Sequence, residues 1–279
     1  MTAILSDIHA NFYALEAVLA DMPKVDAIWS LGDMAGEMPF PCETMDRLLN
    51  SDVPIRAVKG NRDEAHLAAR QGKHPEWRQG KQWGTAAWTT DMFKPHHWDF
   101  FESLPQTLTI DGALLFHGRP NSTRGLILEE ENARVVAEKE QAAWLFCGHT
   151  HMARQFLLGR QRVVNVGSVG VSLNGIGGTA CYVLFDGEKV VFRQVSYDVE
   201  KAVAAMTDSA FMALSPGIVR ATAMEMRTGR HYVMGLVQFA QAYAERELGY
   251  APSIVPAELW DAAERAWDGT EWLEGRFGR

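Results

Sequence analysis

The stretch "TAILSDIHANFYALEAVLADM", residues 2–22, decides how the fold is read. Its first four residues form a short apolar run that stops at Ser6-Asp7, as a buried strand does where it leaves a sheet. Beyond His9 the period changes. Phe12, Leu15, Val18, Leu19 and Met22 recur every three or four residues, which places them on one helical face. The same alternation continues with an apolar run at 27–31, a helix near 42–49 and a strand at 55–58. Strand, helix, strand, helix, strand predicts a parallel sheet with crossover helices. The three strands end in "SDIH", "LGDM" and "VKGNRD", and ligands of such sheets bind beyond the carboxyl ends of the strands.

Working outward, residues 71–104 carry Trp77, Trp83, Trp88 and Trp98 with His74, His96 and His97, and read as helices forming a flank or lid. Packing is the expected role of the tryptophans. Strand-like runs follow at 108–110, 113–116, 144–146, 154–158, 163–166, 180–185 and 190–195, interrupted by a charged helix near 129–138. They predict a mostly antiparallel second sheet facing the first across a core. From Val199 the chain reads as helical. Tyr232, Val233, Leu236, Val237, Ala240, Tyr243 and Ala244 form an apolar stripe, with Met206, Met212, Met224, Met226 and Met234 nearby. Left bare, such a stripe would promote aggregation, so it is expected to pack on the rest of the chain or on a second copy. The predicted organisation is a two-sheet domain over 1–198 and a helical extension over 199–279.

A formal net charge of −8, with no cationic tail, argues against a dedicated nucleic-acid binder. Cys42, Cys147 and Cys181 show no paired spacing, so neither a disulfide framework nor a thiolate zinc site is indicated. With no leader-like N-terminal segment and no apolar run long enough to span a bilayer, a cytoplasmic protein is expected.

Polar residues gather at five strand ends: Asp7-Ile8-His9, Gly32-Asp33, Gly60-Asn61-Arg62-Asp63, His117, and Gly148-His149-Thr150-His151 within "LFCGHTHM", residues 145–152. In a strand, residues two apart face one side, so His149 and His151 are expected to face one spot, and converging imidazoles suggest a metal. Taken singly, Asp7 and Asp33 also read as helix caps, and His117 as a hydrogen-bonded core histidine. A solvated-loop account would need the same coincidence at all five strand ends.

Taken together, these motifs resemble those of the calcineurin-like metallophosphoesterase superfamily, D-x-H, G-D, G-N-H-(D/E), H and G-H-x-H. The resemblance covers residues 1–198. "SDIHANFYALEAVL", "GDMAGEMPFPCETMDRL" and "VNVGSVGVSLNG" are similar to a bacterial subgroup of small phosphodiesterases and diadenosine-tetraphosphatase-like proteins. It implies an α/β fold, a two-sheet αββα sandwich, holding two divalent metal ions, with manganese expected first and iron, zinc, nickel or cobalt as alternatives. Asp7, His9, Asp33 and His151 would hold one ion, and Asp33, Asn61, His117 and His149 the other. Asp33 would bridge. The implied reaction is hydrolysis of a phosphodiester or activated phosphoester by a hydroxide shared between the ions. The alternatives are a monoesterase acting on nucleotides or phosphoproteins, and a catalytically silent interaction module. A small, nucleotide-like phosphoester is the expected partner, without a stable nucleic-acid complex or a membrane. A homo-oligomer through the C-terminal helices is the further partner to test.

Two departures from the family pattern stand out. Arg62 occupies the place of the histidine proposed to protonate the leaving group, and Met38 replaces a glycine usual in the subgroup. Arginine stays protonated, so Arg62 is expected to bind phosphate rather than donate a proton. Asp33, Asn61 and Arg62 are therefore the expected catalytic set, with the histidines of the Trp-rich segment next in line as an acid. Gly167-Ser168-Val169-Gly170 is expected to curl near the site. Gly175, Gly177 and Gly178 read as a hairpin loop, and His66, His74, His96 and His97 as surface residues.

Overall fold

The computed structural model describes residues 1–36 and 38–269. β1 (Thr2–Leu5), β2 (Ala27–Ser30) and β3 (Ile55–Ala57) pair in parallel, joined by α1 (Phe12–Asp21) and α2 (Pro41–Leu49), as predicted. Helix α1 begins where the apolar period begins, and Asn11 caps it by accepting from Ala14 N at 3.1 Å. Pro41 opens α2, where a missing N–H costs nothing. Ala3, Ile4 and Leu5 are wholly buried, because β1 is central and covered on both faces.

The second sheet departs from expectation. It contains β4 (Thr107–Ile110), β5 (Ala113–Phe116), β6 (Trp144–Cys147), β7 (Arg154–Leu158) and β8 (Gln161–Asn165) in the order β4-β5-β6-β8-β7. Its central pairs, β5–β6 and β6–β8, are parallel, and only the outer pairs are antiparallel. The sheet is mixed because the helical crossover α6 (Glu130–Ala137) brings the chain back in the same direction. β9 (Thr179–Phe185) and β10 (Val190–Ser196) leave it and extend the first sheet, β9 running antiparallel to β1. Gly175, Gly177 and Gly178 therefore lie on a passage between sheets, not in a hairpin. Ile4, Trp29 and Phe185 of the first sheet meet Leu115, Trp144 and Phe146 of the second in the sandwich core.

After β3 come α3 (Asn61–Arg70), a 3₁₀ turn (Pro75–Arg78), α4 (Gly84–Met92) and α5 (Pro95–Ser103). Trp77 and Trp98 are buried packing residues, while Trp83 and Trp88 are partly exposed. His66 and His97 are buried, contrary to the surface expectation. Each has a polar partner that makes burial tolerable: His66 Nδ1 bonds Thr90 Oγ1 at 2.8 Å, linking α3 to α4. His97 and His96 each reach Asp46 Oδ1 at 2.8 Å, and Lys94 Nζ reaches Asp46 Oδ2 at 2.7 Å, fastening α5 to α2.

The C-terminal helices are α7 (Val199–Thr207), α8 (Phe211–Leu214), α9 (Pro216–Thr228), α10 (Val233–Leu248) and α11 (Ala257–Ala266). Met206, Phe211, Val219 and Met226 pack on Ala10, Met38, Val171 and Leu173 of the sandwich. Met38 is fully buried there, which gives the departure from glycine a packing role. Leu236, Ala240 and Ala244 of the predicted stripe close around Trp260 of α11. Gly175 N donates to Gly229 O at 2.9 Å and Gly178 N to Met226 O at 2.7 Å, tying the glycine passage to the end of α9. Residues 270–279 of the predicted extension lie outside the described residues. Among the described residues, no helix is long and apolar enough to cross a membrane.

Candidate metal centre

Every predicted ligand follows an element whose end points to one place. Asp7 and His9 follow β1, Asp33 follows β2, Asn61 opens α3, His117 follows β5, and His149 and His151 follow β6. Their backbones are unusual. Asp7, His9, Asp33, His149 and His151 have φ between 50° and 69°, in the left-handed region that side chains disfavour. Such residues cost on the order of 1–3 kcal/mol each and persist where surroundings over-determine them. Asp7 N bonds Gly32 O and His9 N bonds Asp33 O, both at 3.0 Å, locking the first two turns together. Gly148 has no side chain because a Cβ there would collide with Ser6 Oγ and Asp7 Oδ2. The segment 167–170 braces the Asp7 turn as expected: Ser168 Oγ donates to Asp7 O at 2.8 Å and Gly170 N to the same oxygen at 2.9 Å.

His149 and His151 are not in a strand, so strand alternation is not what aims them. Left-handed turns send the two rings to different partners. His149 lies against His117, ring centroids 5.0 Å apart, while His151 Nε2 approaches His9 Nε2 at 3.0 Å. Asp7 Oδ1 lies 3.3 Å from His151 Nε2, 3.7 Å from His9 Nε2 and 3.8 Å from His117 Nε2. Asp33 Oδ2 lies 3.5 Å from His117 Nε2 and 3.9 Å from His9 Nε2. Both carboxylates thus reach both histidine sets, and Asn61 Oδ1 joins at 3.0 Å from His117 Nε2. Two three-ligand groups result, Asp7–His9–His151 and Asp7–Asp33–His117.

Outer hydrogen bonds fix which atoms face inward. His117 Nδ1 lies against Leu31 O and His151 Nδ1 against Val171 O, each at 2.8 Å, so both rings turn Nε2 toward the centre. Asp7 Oδ2 accepts from Ser6 Oγ and His149 N, whereas buried Oδ1 has no hydrogen-bond partner among the described residues. Asp33 Oδ1 accepts from Arg62 N at 2.7 Å, leaving Oδ2 inward. Neither aspartate caps the helix after its own strand. Buried Asp63 accepts from Asp33 N, Met34 N and Gly60 N, clamping the Asp33 turn to α3. Burial alone would push the His117 imidazole down, yet Asp33 and Asp7 push it up to about 9. Burial and the His117 charge push His149 down to about 4. Two buried carboxylates, imidazole Nε2 atoms turned toward them and an Asp7 Oδ1 without a hydrogen bond among the described residues make a pocket that calls for cations. Imidazole, carboxylate and amide oxygen suit first-row divalent metals.

A cavity of about 470 Å³ opens from this centre. His9, Asp33, Asn61, His149 and His151 form its floor, and Arg62, Arg124 and Trp83 line it with residues of α9 and α10. Among the described residues, His231 is the histidine outside the ligand set that lines it, and those of the Trp-rich segment do not. Sequence reasoning missed His231 and Arg124, which sit in no motif. Trp83 was noted only as packing. The third metal-capable group, Asp46–His96–His97, already has the Lys94 ammonium as its counter-charge.

Residues 1–189 match the model of the calcineurin-like phosphoesterase superfamily domain. The chain belongs to that superfamily. An uncharacterized protein of Methanocaldococcus jannaschii is 30% identical over 225 residues, covering 72% of this chain and 90% of that protein. A metallophosphoesterase structure from Sphaerobacter thermophilus aligns with TM-score 0.66 and 26% identity, over 81% of this chain and 99% of that one. A hypothetical protein of Pyrococcus horikoshii shares the fold with TM-score 0.69 at 19% identity, over 83% of this chain and 100% of that one. As a calcineurin-like phosphoesterase, the chain is a hydrolase of the two-sheet class whose centre offers ligands for divalent metal.

Proposed function

We propose that this phosphoesterase hydrolyses a phosphodiester or an activated phosphoester with two divalent ions, manganese first among them. The observation that carries the reading is the inward set: Asp7 Oδ1, Asp33 Oδ2 and the Nε2 atoms of His117 and His151, each turned inward by a hydrogen bond on the far side of its group. Asp7, His9, Asp33 and His151 would hold one ion and Asp33, Asn61, His117 and His149 the other. Divalent ions sharing a carboxylate about 4 Å apart acidify water and neutralise phosphate oxygens. The chain's own residues do the rest. Asp63 and the Ser168 segment hold the two aspartate turns rigid, so donor positions exist before substrate arrives. Arg62, at the cavity wall, presents a planar guanidinium suited to two phosphate oxygens. It delivers no proton, so leaving groups that depart as stable anions are favoured, which supports a diester or activated ester over an unactivated monoester. Residues 1–198 act as the catalytic domain, and three unpaired buried cysteines suit a cytoplasmic setting. The test is hydrolysis of bis- against mono-p-nitrophenyl phosphate by manganese-loaded protein. Faster turnover of the diester supports the reading. Faster turnover of the monoester favours a monoesterase, and no turnover of either removes the hydrolytic reading.

A further inference from the structure

We propose that the C-terminal helices build a leaving-group pocket onto the metal centre, and that the substrate is a phosphoester bearing a bulky, mainly hydrocarbon or aryl group. This rests on the phosphoesterase reading and names the substrate class of the same site. The cavity of about 470 Å³ is in the size range of small-molecule sites. Its composition is divided. Asp33, Asn61 and the imidazoles of His9, His149 and His151 form the floor, whereas α9 and α10 contribute Ile218, Val233, Met234 and Val237 as an apolar wall, with Leu126 and Leu173 also in the lining. Open apolar surface beside a charged centre is unfavourable unless something apolar covers it. A phosphate held at the floor projects its ester group along this wall.

The wall is held in place before any ligand binds. Glu225 Oε1 accepts from Tyr232 N and Val233 N, each at 2.9 Å, so the carboxylate caps the start of α10. Gly229 turns the chain with φ 70°, and its carbonyl accepts from Gly175 N in the passage between sheets. Arg62 and Arg124 supply positive charge to the same cavity, whereas Glu225 is occupied by its cap bonds. Gln82, Thr85 and Thr222 add hydrogen-bonding groups elsewhere in the lining, but the side chains from Ile218, Val233, Met234 and Val237 are apolar, which favours a hydrocarbon or aryl group against this wall.

The test is calorimetric binding of methylphosphonate, 1-naphthylmethylphosphonate and an adenosine phosphonate to the full manganese-loaded chain. The naphthyl probe should bind roughly tenfold or more tighter than the methyl probe, with a negative heat-capacity change. Val237→Gln and Met234→Gln should each cut that ratio by about threefold or more. Equal affinities for the two probes in the wild type need no variant to interpret and overturn the proposal. So does a ratio untouched in both folded variants, or an adenosine probe that binds tighter than the naphthyl one. Turnover of bis-p-nitrophenyl phosphate without naphthyl preference defeats the pocket alone. Naphthyl preference without turnover of any phosphoester upholds the pocket and defeats the hydrolase.

Discussion

Asp33 spends one carboxylate oxygen on Arg62 N and turns the other toward His9 and His117, so a single side chain serves both histidine sets. Asp33→Asn replaces that inward charge with a neutral amide. Turnover should fall by about 100-fold or more, and elemental analysis should show depleted metal. Full metal content with near-normal turnover would remove Asp33 from the centre. Arg62 yields a second expectation. Without an acid at its position, rates across a series of aryl and alkyl phosphodiesters should drop steeply as the leaving-group pKa rises. Arg62→His should flatten that dependence while raising KM. A flat wild-type slope means another group protonates the leaving oxygen, and His231 then replaces the Trp-segment histidines as the next residue to test. The candidate ligands were legible as a group because metal chemistry restricts residue type and spacing at strand ends. His231 and Arg124 were not, because they enter the cavity from segments whose placement depends on tertiary packing.

The turn between α9 and α10 brings His231 into the cavity. Burial, and after it the His151 charge, push its imidazole from 6.5 down to about 4. Between those values the unfolded chain holds a proton that the folded chain excludes. The stability contributed by neutral His231 is therefore complete above about pH 6.5 and is lost as pH falls toward 4. His231→Gln should reduce the loss of thermal midpoint between pH 7 and pH 5, and superimposable profiles for the two proteins would contradict the burial argument. At this scale the sequence was readable where a period is local: the stripe of α1 and the apolar runs of β1 to β3 lie where they were expected. Strand partners were not readable. β9 is a nearly continuous apolar run buried on both faces, which suits the interior of either sheet, and the passage through residues 175–178 carries it to its place beside β1.

The whole molecule joins the sandwich to its C-terminal helices through Ala10, Met38, Val171 and Leu173. Ending the chain after Asp198 should uncover that patch and make the protein aggregate in sedimentation, since exposed apolar patches of this kind self-associate. A truncated chain that stays monomeric and soluble would show that the helices are an independent appendage. The amphipathic stripe announced that a partner surface exists. What it could not announce is that Leu236, Ala240 and Ala244 close on α11 while Val233 and Val237 join the rim of the centre, since a stripe records apolarity and not the surface it meets. The central claim is that this rim encloses two metal ions held by one ligand set, and anomalous diffraction from crystals grown with manganese tests it most directly. The account predicts two peaks, one beside His9 and His151 and one beside His117 and His149, with Asp33 touching both. A single peak, or none at these side chains, would contradict it.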